Sequence, residues 1–135
     1  LKNELISRLE TCKEIVRFID FTKMPERYMA ASDIFVLPSY REGFGSVIIE
    51  AASSGLPSIG SNIYGLSDAI KDKQTGFLVP VRSSKLLEEA MLKLSKNDKL
   101  RNEMGSNARK RAIYLFSQEN ITLELLQLYK RLIKE

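Results

Sequence analysis

Two glutamates flank a glycine-containing loop in the stretch R-E-G-F-G-S-V-I-I-E. Glu42 opens this loop and Glu50 follows eight residues later. Between them, Gly43 and Gly45 let the backbone turn and let another molecule approach it closely. Carboxylates accept strong, charge-assisted hydrogen bonds from hydroxyl groups. The spacing therefore predicts a binding site for a polar ligand that presents hydroxyls on both sides of the loop.

A buried strand and a short helix are expected to hold this loop in place. Asp33–Leu37 is a short apolar run of the kind typical of a buried strand. Helical spacing of apolar residues begins near Ser46, and Gly55 and Pro57 stop the helix. The start of a helix offers unpaired N–H groups and the positive end of its dipole, which favour a phosphate. With a rise of about 1.5 Å per residue, Glu50 lies roughly 6 Å further along the axis than Ser46.

A phosphate-binding helix end between two carboxylates suits a nucleotide sugar, in which a diphosphate joins a hexose to a ribose. An ordinary strand–loop–helix turn with two solvated glutamates fits the same residues equally well. The pattern taken by itself leaves both interpretations open.

The composition argues against several other kinds of site. The chain has 135 residues, 44% of them hydrophobic, which suits one domain with a modest core. It has no histidine and one cysteine, Cys12, so Ser–His and Cys–His pairs are absent and a structural zinc site is not expected. A lone cysteine fits a reducing cytoplasm, and no apolar run approaches the ~20 residues that cross a bilayer.

The formal net charge of +4 comes from the second part of the chain. Residues 81–135 carry 12 basic and 7 acidic side chains, whereas residues 1–80 carry 9 basic and 10 acidic ones. Basic helices can contact nucleic acid or anionic lipid. Here the basic residues interleave with acidic ones and no nucleic-acid motif is present, so a solvated helix surface is favoured and no nucleic-acid partner is expected.

Strands and helices alternate along the chain, which predicts a doubly wound α/β fold with a parallel sheet. The apolar pattern predicts strands over residues 15–19, 34–37, 57–60 and 77–79, and helices over residues 2–9, 26–31, 46–54 and 66–70. Three more helices follow, with Ser83 or Ser84, Asn97 or Asp98, and Ser117 as their N-caps. Their apolar stripes are expected to face the core: Leu86, Leu87, Ala90 and Leu94, then Leu100, Met104, Ala108 and Ala112, then Ile121, Leu125, Leu128, Tyr129 and Leu132.

The motif resembles that of the group 1 family of retaining glycosyltransferases (family 4), which have the GT-B fold. Its hallmark is E-G-F-G, a second glutamate eight residues after the first, and a small-residue helix ending in G-x-P. The similarity continues through S-N-I-Y-G-L-S-D-A-I, K-D-K-Q-T-G-F-L-V-P-V and F-S-Q-E-N, so it covers the chain from about Phe18 onward. The sequence S-Y-R-E-G-F-G is most similar to the corresponding motif of bacterial capsule and O-antigen enzymes that use UDP-sugars.

The resemblance implies roles for the residues at the start of the loop. Glu42 is the expected catalytic residue, in contact with donor-sugar hydroxyls near the reacting carbon. The backbone amides around Gly43, Phe44 and Gly45 are expected to meet the sugar and the distal phosphate.

The resemblance also implies roles for the helix and for an upstream segment. The amides of Ser46 and Val47 are expected to stabilise charge on the leaving diphosphate. Glu50 is expected to bind the ribose hydroxyls, and Arg17 and Phe18 to pack near the base. No metal ion or other cofactor is expected.

The implied function is donor binding by a cytoplasmic enzyme of bacterial polysaccharide biosynthesis. The enzyme would move a hexose or modified hexose from a nucleoside diphosphate, in the first instance UDP, to a glycan or lipid-linked acceptor. Residues 1–135 would be part of one nucleotide-sugar-binding domain at the C-terminal end of a GT-B fold, inactive without the acceptor domain. The intact enzyme is expected to contact the membrane peripherally.

The chain departs from the family pattern in three respects. Ser46 stands where the family has a larger aliphatic residue or threonine, Tyr64 stands where it has a second glycine, and an upstream arginine and lysine have no counterpart. By this resemblance residues 15–19 correspond to the third strand of a 3-2-1-4-5-6 sheet, and the first two strands of that sheet are expected to be missing from these 135 residues. That segment must therefore pair with the strand at 34–37, swap into another molecule as an oligomer, or stay loose.

Two other functions are compatible with the residues. One is a non-catalytic module that binds a nucleotide or another phosphorylated ligand with the same fold. The other is a basic helical domain that contacts a membrane or nucleic acid.

Overall fold

Short apolar segments separated by helices form a parallel sheet in the computed structural model, which describes residues 15–133. The strands are β1 (Phe35–Leu37), β2 (Ser58–Ser61) and β3 (Gly76–Val79). Their order in the sheet is β1-β2-β3, and Ile59 of β2 is aligned with Val36 on one side and Phe77 on the other.

Six helices precede, connect and follow these strands within the described residues. They are α1 (Pro25–Ala30), α2 (Ser46–Ser53), α3 (Leu66–Ala69), α4 (Ser84–Ser95), α5 (Asp98–Phe116) and α6 (Gln118–Leu132). Several predicted helix boundaries are confirmed by their caps. The side chain of Asn97 accepts a 2.9 Å hydrogen bond from the Leu100 amide, and Ser117 caps α6 in the same way. Gly55, with φ of +84°, is the left-handed residue that follows α2.

Helices cover both faces of the sheet, so the predicted doubly wound α/β class is confirmed. On one face, Ile59, Phe77 and Val79 pack against Leu94 of α4 and Met104 of α5. On the other face, the β-strand side chains meet α2 and α3 through a second cluster. That cluster contains Ile48, Leu66, Ala69 and Ile70, with the partly buried Phe35, Leu37 and Leu78. The sheet is therefore buried between two helical layers, as is usual for parallel strands.

Helix α5 reaches from one face of the sheet to the other. Its first half contributes Met104 to the cluster under α4, and its second half packs Ala108 and Ala112 against Ala52 of α2. Small residues permit this close approach: a Cβ on Gly105 would lie 2.1 Å from the carbonyl oxygen of Gly55. Helix α5 thereby holds the C-terminal end of α2.

The prediction of a strand at residues 15–19 is wrong. These residues are irregular and exposed, and Ile15 retains 81% of its accessible surface. Within the described residues β1 is hydrogen-bonded only to β2, so direct pairing of residues 15–19 with β1 does not occur. An apolar run becomes a strand only where a neighbouring strand supplies hydrogen bonds, and no strand among residues 15–133 does so for this segment.

Two predicted core stripes also need correction. The side of α4 that faces the sheet is formed by Leu87, Ala90 and Leu94. Leu86 lies about 100° around the helix from Leu87, and its side chain is therefore 41% exposed. The apolar residues of α6 are exposed as well, from 43% at Leu128 to 60% at Leu132. Among the described elements α6 packs chiefly beside α5, and none of its residues is buried. The predicted stripe of α5, by contrast, is confirmed at Met104, Ala108 and Ala112.

The predicted helix at residues 2–9 and Cys12 lie outside the described residues. Within residues 15–133, no helix combines the length and apolarity that crossing a bilayer requires.

Candidate functional site

The loops that follow the three strands meet at the carboxyl edge of the sheet, where ligands bind in open parallel α/β sheets. The loop after β1 runs from Pro38 to Gly45 and leads into α2. The loop after β2 holds Tyr64 and Gly65, and the loop after β3 leads into α4. We call residues 42–47 the donor loop, since they contain the predicted site.

The two glycines of the donor loop serve different purposes. Gly45 is the N-cap of α2, and a Cβ there would lie 2.6 Å from Cδ2 of Leu66, so glycine lets the loop pack against α3. A Cβ on Gly43 would meet nothing within 4 Å. The space that a Gly43 side chain would occupy is therefore open, and a ligand can approach the backbone from that side.

Several amides of the donor loop have no partner among the described residues. The N–H groups of Gly43, Phe44, Gly45 and Val47 donate no hydrogen bond there, and Gly45 provides no side chain to cap α2. Unpaired amides at the start of a helix attract an anion. The start of α2 thus has the character predicted from the sequence.

Ser46 differs from its neighbours. Its amide donates a 2.8 Å hydrogen bond to the carbonyl oxygen of Phe44, which closes a tight turn at the start of α2. The amide of Ile48 likewise donates to the Gly45 carbonyl oxygen at 2.9 Å. In this structure the amide of Val47, not that of Ser46, is the unpaired donor within the first turn of α2.

Glu42 and Glu50 differ in burial and in hydrogen bonding. Glu42 is half-buried, and its Oε1 atom accepts a 2.7 Å hydrogen bond from the hydroxyl of Ser39. Glu50 is exposed, as are Ser46 and Ser53. Because residues four and three apart lie on the same side of a helix, these three residues form the solvent face of α2. Glu50 therefore stands one turn beyond the open end of α2, on its exposed side.

Gly65 supports the donor loop, and the sequence interpretation missed this contact. Its φ of +88° favours glycine, and a Cβ there would lie 2.6 Å from the carbonyl oxygen of Gly43 and 2.9 Å from that of Glu42. The backbone after β2 therefore lies directly against the start of the donor loop. The only sequence signal for this contact is a glycine placed between a strand and a helix.

Phe44 anchors the tip of the donor loop to the end of α5. Its ring packs against that of Phe116 with centroids 5.7 Å apart, and it remains 48% exposed. The guanidinium of Arg111 lies 5.7 Å from the centre of the same Phe116 ring. The far end of α5 thus fixes where the loop turns.

The residues predicted to pack near the base lie apart from this arrangement. Arg17 and Phe18 belong to the exposed, irregular segment before α1, and no described contact joins either side chain to the donor loop. Their role at the base stays a prediction.

Comparison with known proteins identifies the family. The model of the family "Glycosyl transferases group 1" matches residues 3–111. The chain is 39% identical over 103 residues to the capsular polysaccharide biosynthesis glycosyltransferase CapM of Staphylococcus aureus. The aligned region covers 76% of this chain and 27% of CapM. The protein therefore belongs to the group 1 glycosyltransferase family, as its motif indicated.

Solved structures agree with this assignment. Sucrose-phosphate synthase from Thermosynechococcus elongatus superimposes with a TM-score of 0.87 and 31% identity, over 98% of this chain and 34% of that one. A variant of S. aureus TarM, crystallised with UDP, fondaparinux and alpha-GlcNAc-glycerol, superimposes with a TM-score of 0.85 and 30% identity. The superposition covers 95% of this chain and 27% of the TarM chain. The chain spans about a quarter to a third of the length of these proteins.

Proposed function

We propose that this protein binds the nucleotide-sugar donor of a retaining glycosyltransferase that transfers a hexose or modified hexose from UDP. The observation that carries the proposal is the open end of α2. The unpaired amides of Gly43 and Val47 lie there, at the carboxyl edge of the sheet, with Glu42 before them and Glu50 after them. A diphosphate supplies the negative charge that this arrangement attracts.

In the proposed complex the diphosphate lies over the donor loop. Gly43 has open space in front of its backbone, so a phosphate oxygen approaches it without a clash. When the bond between the sugar C1 and the phosphate oxygen breaks, negative charge grows on the leaving diphosphate. Amides that are fixed in advance at this point stabilise that charge without reorganising. Val47 is the best-placed donor of α2, because the Ser46 amide is already bonded to Phe44.

The two glutamates act on opposite sides of the diphosphate. Glu42 accepts hydrogen bonds from donor-sugar hydroxyls, with its carboxylate oriented by Ser39. Glu50, one turn along α2, accepts hydrogen bonds from the ribose hydroxyls. Charge-assisted hydrogen bonds of this kind are about twice as strong as neutral ones. Arg17 and Phe18 are assigned to the base side, and no metal ion is required.

Two relatives support the choice of substrates in this proposal. CapM is named for capsular polysaccharide biosynthesis, and the TarM variant was crystallised with UDP. By analogy, we assign UDP as the carrier and a glycan or lipid-linked acceptor as the second substrate. A cytoplasmic location, with peripheral membrane contact of the intact enzyme, is consistent with such an acceptor.

Sugar transfer by the intact protein tests this proposal. The intact protein is incubated with a panel of UDP-sugars, and release of UDP and product formation are measured for the natural sequence and for Glu42→Gln. Transfer that falls at least about 100-fold in Glu42→Gln supports the role of Glu42, since a group at the reacting carbon is worth several kcal/mol in the transition state. Glu103→Gln, which changes an exposed carboxylate on α5, is the matched control and should retain activity.

The configuration of the product at the anomeric carbon provides the second readout. Retention is expected, and it is measured by NMR before the product equilibrates. Nucleotide binding without any transfer would instead indicate a non-catalytic module. Inversion would exclude the retaining mechanism.

A further inference from the structure

A small cavity lies between strand β2 and the helices on one face of the sheet. Its volume is about 10 Å³, close to the roughly 10–15 Å³ that one water molecule needs. Three polar residues line it, Ser58 of β2, Thr75 before β3 and Arg111 of α5. The rest of the lining is apolar and comes chiefly from α2, α3 and α5, with Ile48, Ala52, Ala69, Ala108 and Ala112. We call it the β2 cavity.

Two buried polar atoms at the β2 cavity have no hydrogen-bond partner among residues 15–133. They are the Oγ atom of Ser58, a residue that is 2% exposed, and the Nε atom of Arg111. The third polar group, the hydroxyl of Thr75, already bonds to the backbone of Lys71. A buried donor or acceptor that stays unpaired is costly. Because Ser58 and Arg111 line the same water-sized cavity, one water molecule can supply both missing hydrogen bonds.

The side chain of Arg111 also joins α3 to the donor loop. Its Nη2 atom donates a 2.9 Å hydrogen bond to the carbonyl oxygen of Asp68 in α3. The guanidinium lies 5.7 Å from the centre of the Phe116 ring, and that ring packs against Phe44 of the donor loop with centroids 5.7 Å apart. The position of the guanidinium therefore limits where the two rings, and with them the tip of the donor loop, can lie.

We propose that a buried water molecule bridges Oγ of Ser58 and Nε of Arg111, and that Arg111, fixed in this way, is a positioning residue for the donor loop. A guanidinium is planar and presents its N–H groups in fixed directions. Nη2 can therefore bond to the Asp68 carbonyl oxygen while Nε bonds to the water, and the two bonds together fix the plane of the group. The effect on donor binding rests on the proposed function, whereas the water and the position of the loop do not.

A high-resolution crystal structure of the chain tests the water directly. We expect an ordered water molecule within hydrogen-bond distance of both Oγ of Ser58 and Nε of Arg111. A direct hydrogen bond between these two side chains, or a β2 cavity without ordered water, would overturn this part of the proposal.

Ser58→Ala provides a second test, since the sign of its effect depends on the water. If the hydroxyl bonds to the water, its loss leaves the water with fewer partners, and the unfolding equilibrium constant should rise about 5-fold. If the hydroxyl is unpaired, alanine removes a costly buried group and the constant should stay the same or fall, which would contradict the proposal. Ser61→Ala is the matched control, because Ser61 is a buried serine of β2 that does not line the cavity, and the water should remain in its crystal structure.

Arg111→Lys tests the positioning role. Lysine keeps the positive charge, but a single ammonium on a flexible stem does not reproduce the two fixed bonds. In the free protein we expect the amide signals of Phe44 and Gly45 to shift in ¹⁵N-resolved NMR spectra. UDP affinity should fall about 5-fold, the size of one hydrogen bond. Arg109→Lys, the same change at an exposed position of α5, should have neither effect. Unchanged donor-loop signals in Arg111→Lys would overturn the positioning role.

A double variant shows whether Arg111 acts through Phe116. If it does, Arg111→Lys combined with Phe116→Leu should lose no more UDP affinity than Phe116→Leu alone, because both changes interrupt the same series of contacts. Losses that add would contradict this route.

Measurements on the free protein separate this inference from the proposed function. The ordered water and the donor-loop signals are observed without UDP. A chain that shows both and binds no UDP would overturn the proposed function and the effect on donor binding, and would leave the water and the loop position standing. Equal UDP affinity of the natural sequence and Arg111→Lys would overturn the effect on donor binding and leave the proposed function intact.

Discussion

The hydroxyl of Ser39 donates a 2.7 Å hydrogen bond to Oε1 of Glu42. This contact fixes one oxygen of the half-buried carboxylate, and Oε2 accepts no hydrogen bond among the described residues, which leaves it available to a ligand. A carboxylate with a fixed orientation loses little freedom when it binds a sugar hydroxyl, and such preorganisation favours the transition state over the free substrate. Ser39 is therefore a positioning residue in the proposed mechanism.

Replacing Ser39 with alanine should lower the rate of sugar transfer more than it lowers donor affinity. We expect kcat to fall at least about 10-fold with little change in KM, since the loss of one hydrogen bond to a charged group is worth roughly 1.5–3 kcal/mol. Steady-state kinetics of the intact protein measures both constants. Ser53→Ala, which removes a similar hydroxyl from the exposed face of α2, should change neither. A kcat unchanged in Ser39→Ala would show that this hydrogen bond has no part in transfer.

Replacing Gly65 with alanine should distort the donor loop. The added Cβ would meet the carbonyl oxygens of Gly43 and Glu42 at 2.6 and 2.9 Å, and φ is +88°. We expect unfolding free energy to drop by at least about 2 kcal/mol and UDP binding to weaken, as measured by thermal unfolding and calorimetric titration.

Gly55→Ala is the matched control for this change. Its φ of +84° is nearly the same, but a Cβ there would meet nothing within 4 Å. It should cost only about 1–2 kcal/mol of conformational strain and leave UDP affinity unchanged. Equal effects of both variants on UDP binding would mean that Gly65 does not shape the donor loop.

Glu50→Gln should weaken UDP binding without weakening the binding of inorganic pyrophosphate. The proposed partner of Glu50 is the ribose, so removal of its charge costs hydrogen bonds that only the nucleoside can make. About a 10-fold loss in UDP affinity is expected, corresponding to one charge-assisted hydrogen bond. Glu103→Gln provides the surface control. A parallel loss for pyrophosphate would place Glu50 at the diphosphate instead.

Leu94→Ala and Leu86→Ala should differ sharply in stability, although both leucines were predicted to face the core. Leu94 is fully buried on the side of α4 that faces the sheet, whereas Leu86 is 41% exposed. We expect Leu94→Ala to cost about 2–5 kcal/mol and Leu86→Ala less than about 1 kcal/mol, measured by chemical denaturation. Similar costs for the two would contradict the burial pattern of α4.

The features that could be predicted from the sequence are those set by local chemistry. Glycine placement predicted the donor loop and the left-handed residue after α2, and Asn97 and Ser117 predicted the starts of α5 and α6. The alternation of short apolar segments with helical segments along the chain was sufficient to predict the parallel sheet. Each of these signals lies within a few residues of the structure that it specifies.

The features that were missed depend on contacts between distant parts of the chain. Residues 15–19 have the composition of a strand but no described neighbour to pair with, and the apolar residues of α6 are exposed. The contact of Gly65 with the donor loop arises only because parallel strands β1 and β2 bring their following loops to one edge. The spacing of residues along the chain gives no indication of such contacts.

The most direct test of the central claim is a titration of the ¹⁵N-labelled chain with UDP, observed at the backbone amides. If the open end of α2 binds the diphosphate, the largest saturable shifts will be at Gly43, Phe44, Gly45 and Val47. Glu50→Gln should reduce the affinity without moving the site of these shifts. Saturable shifts centred elsewhere, or no response of the donor-loop amides to UDP, would contradict the account.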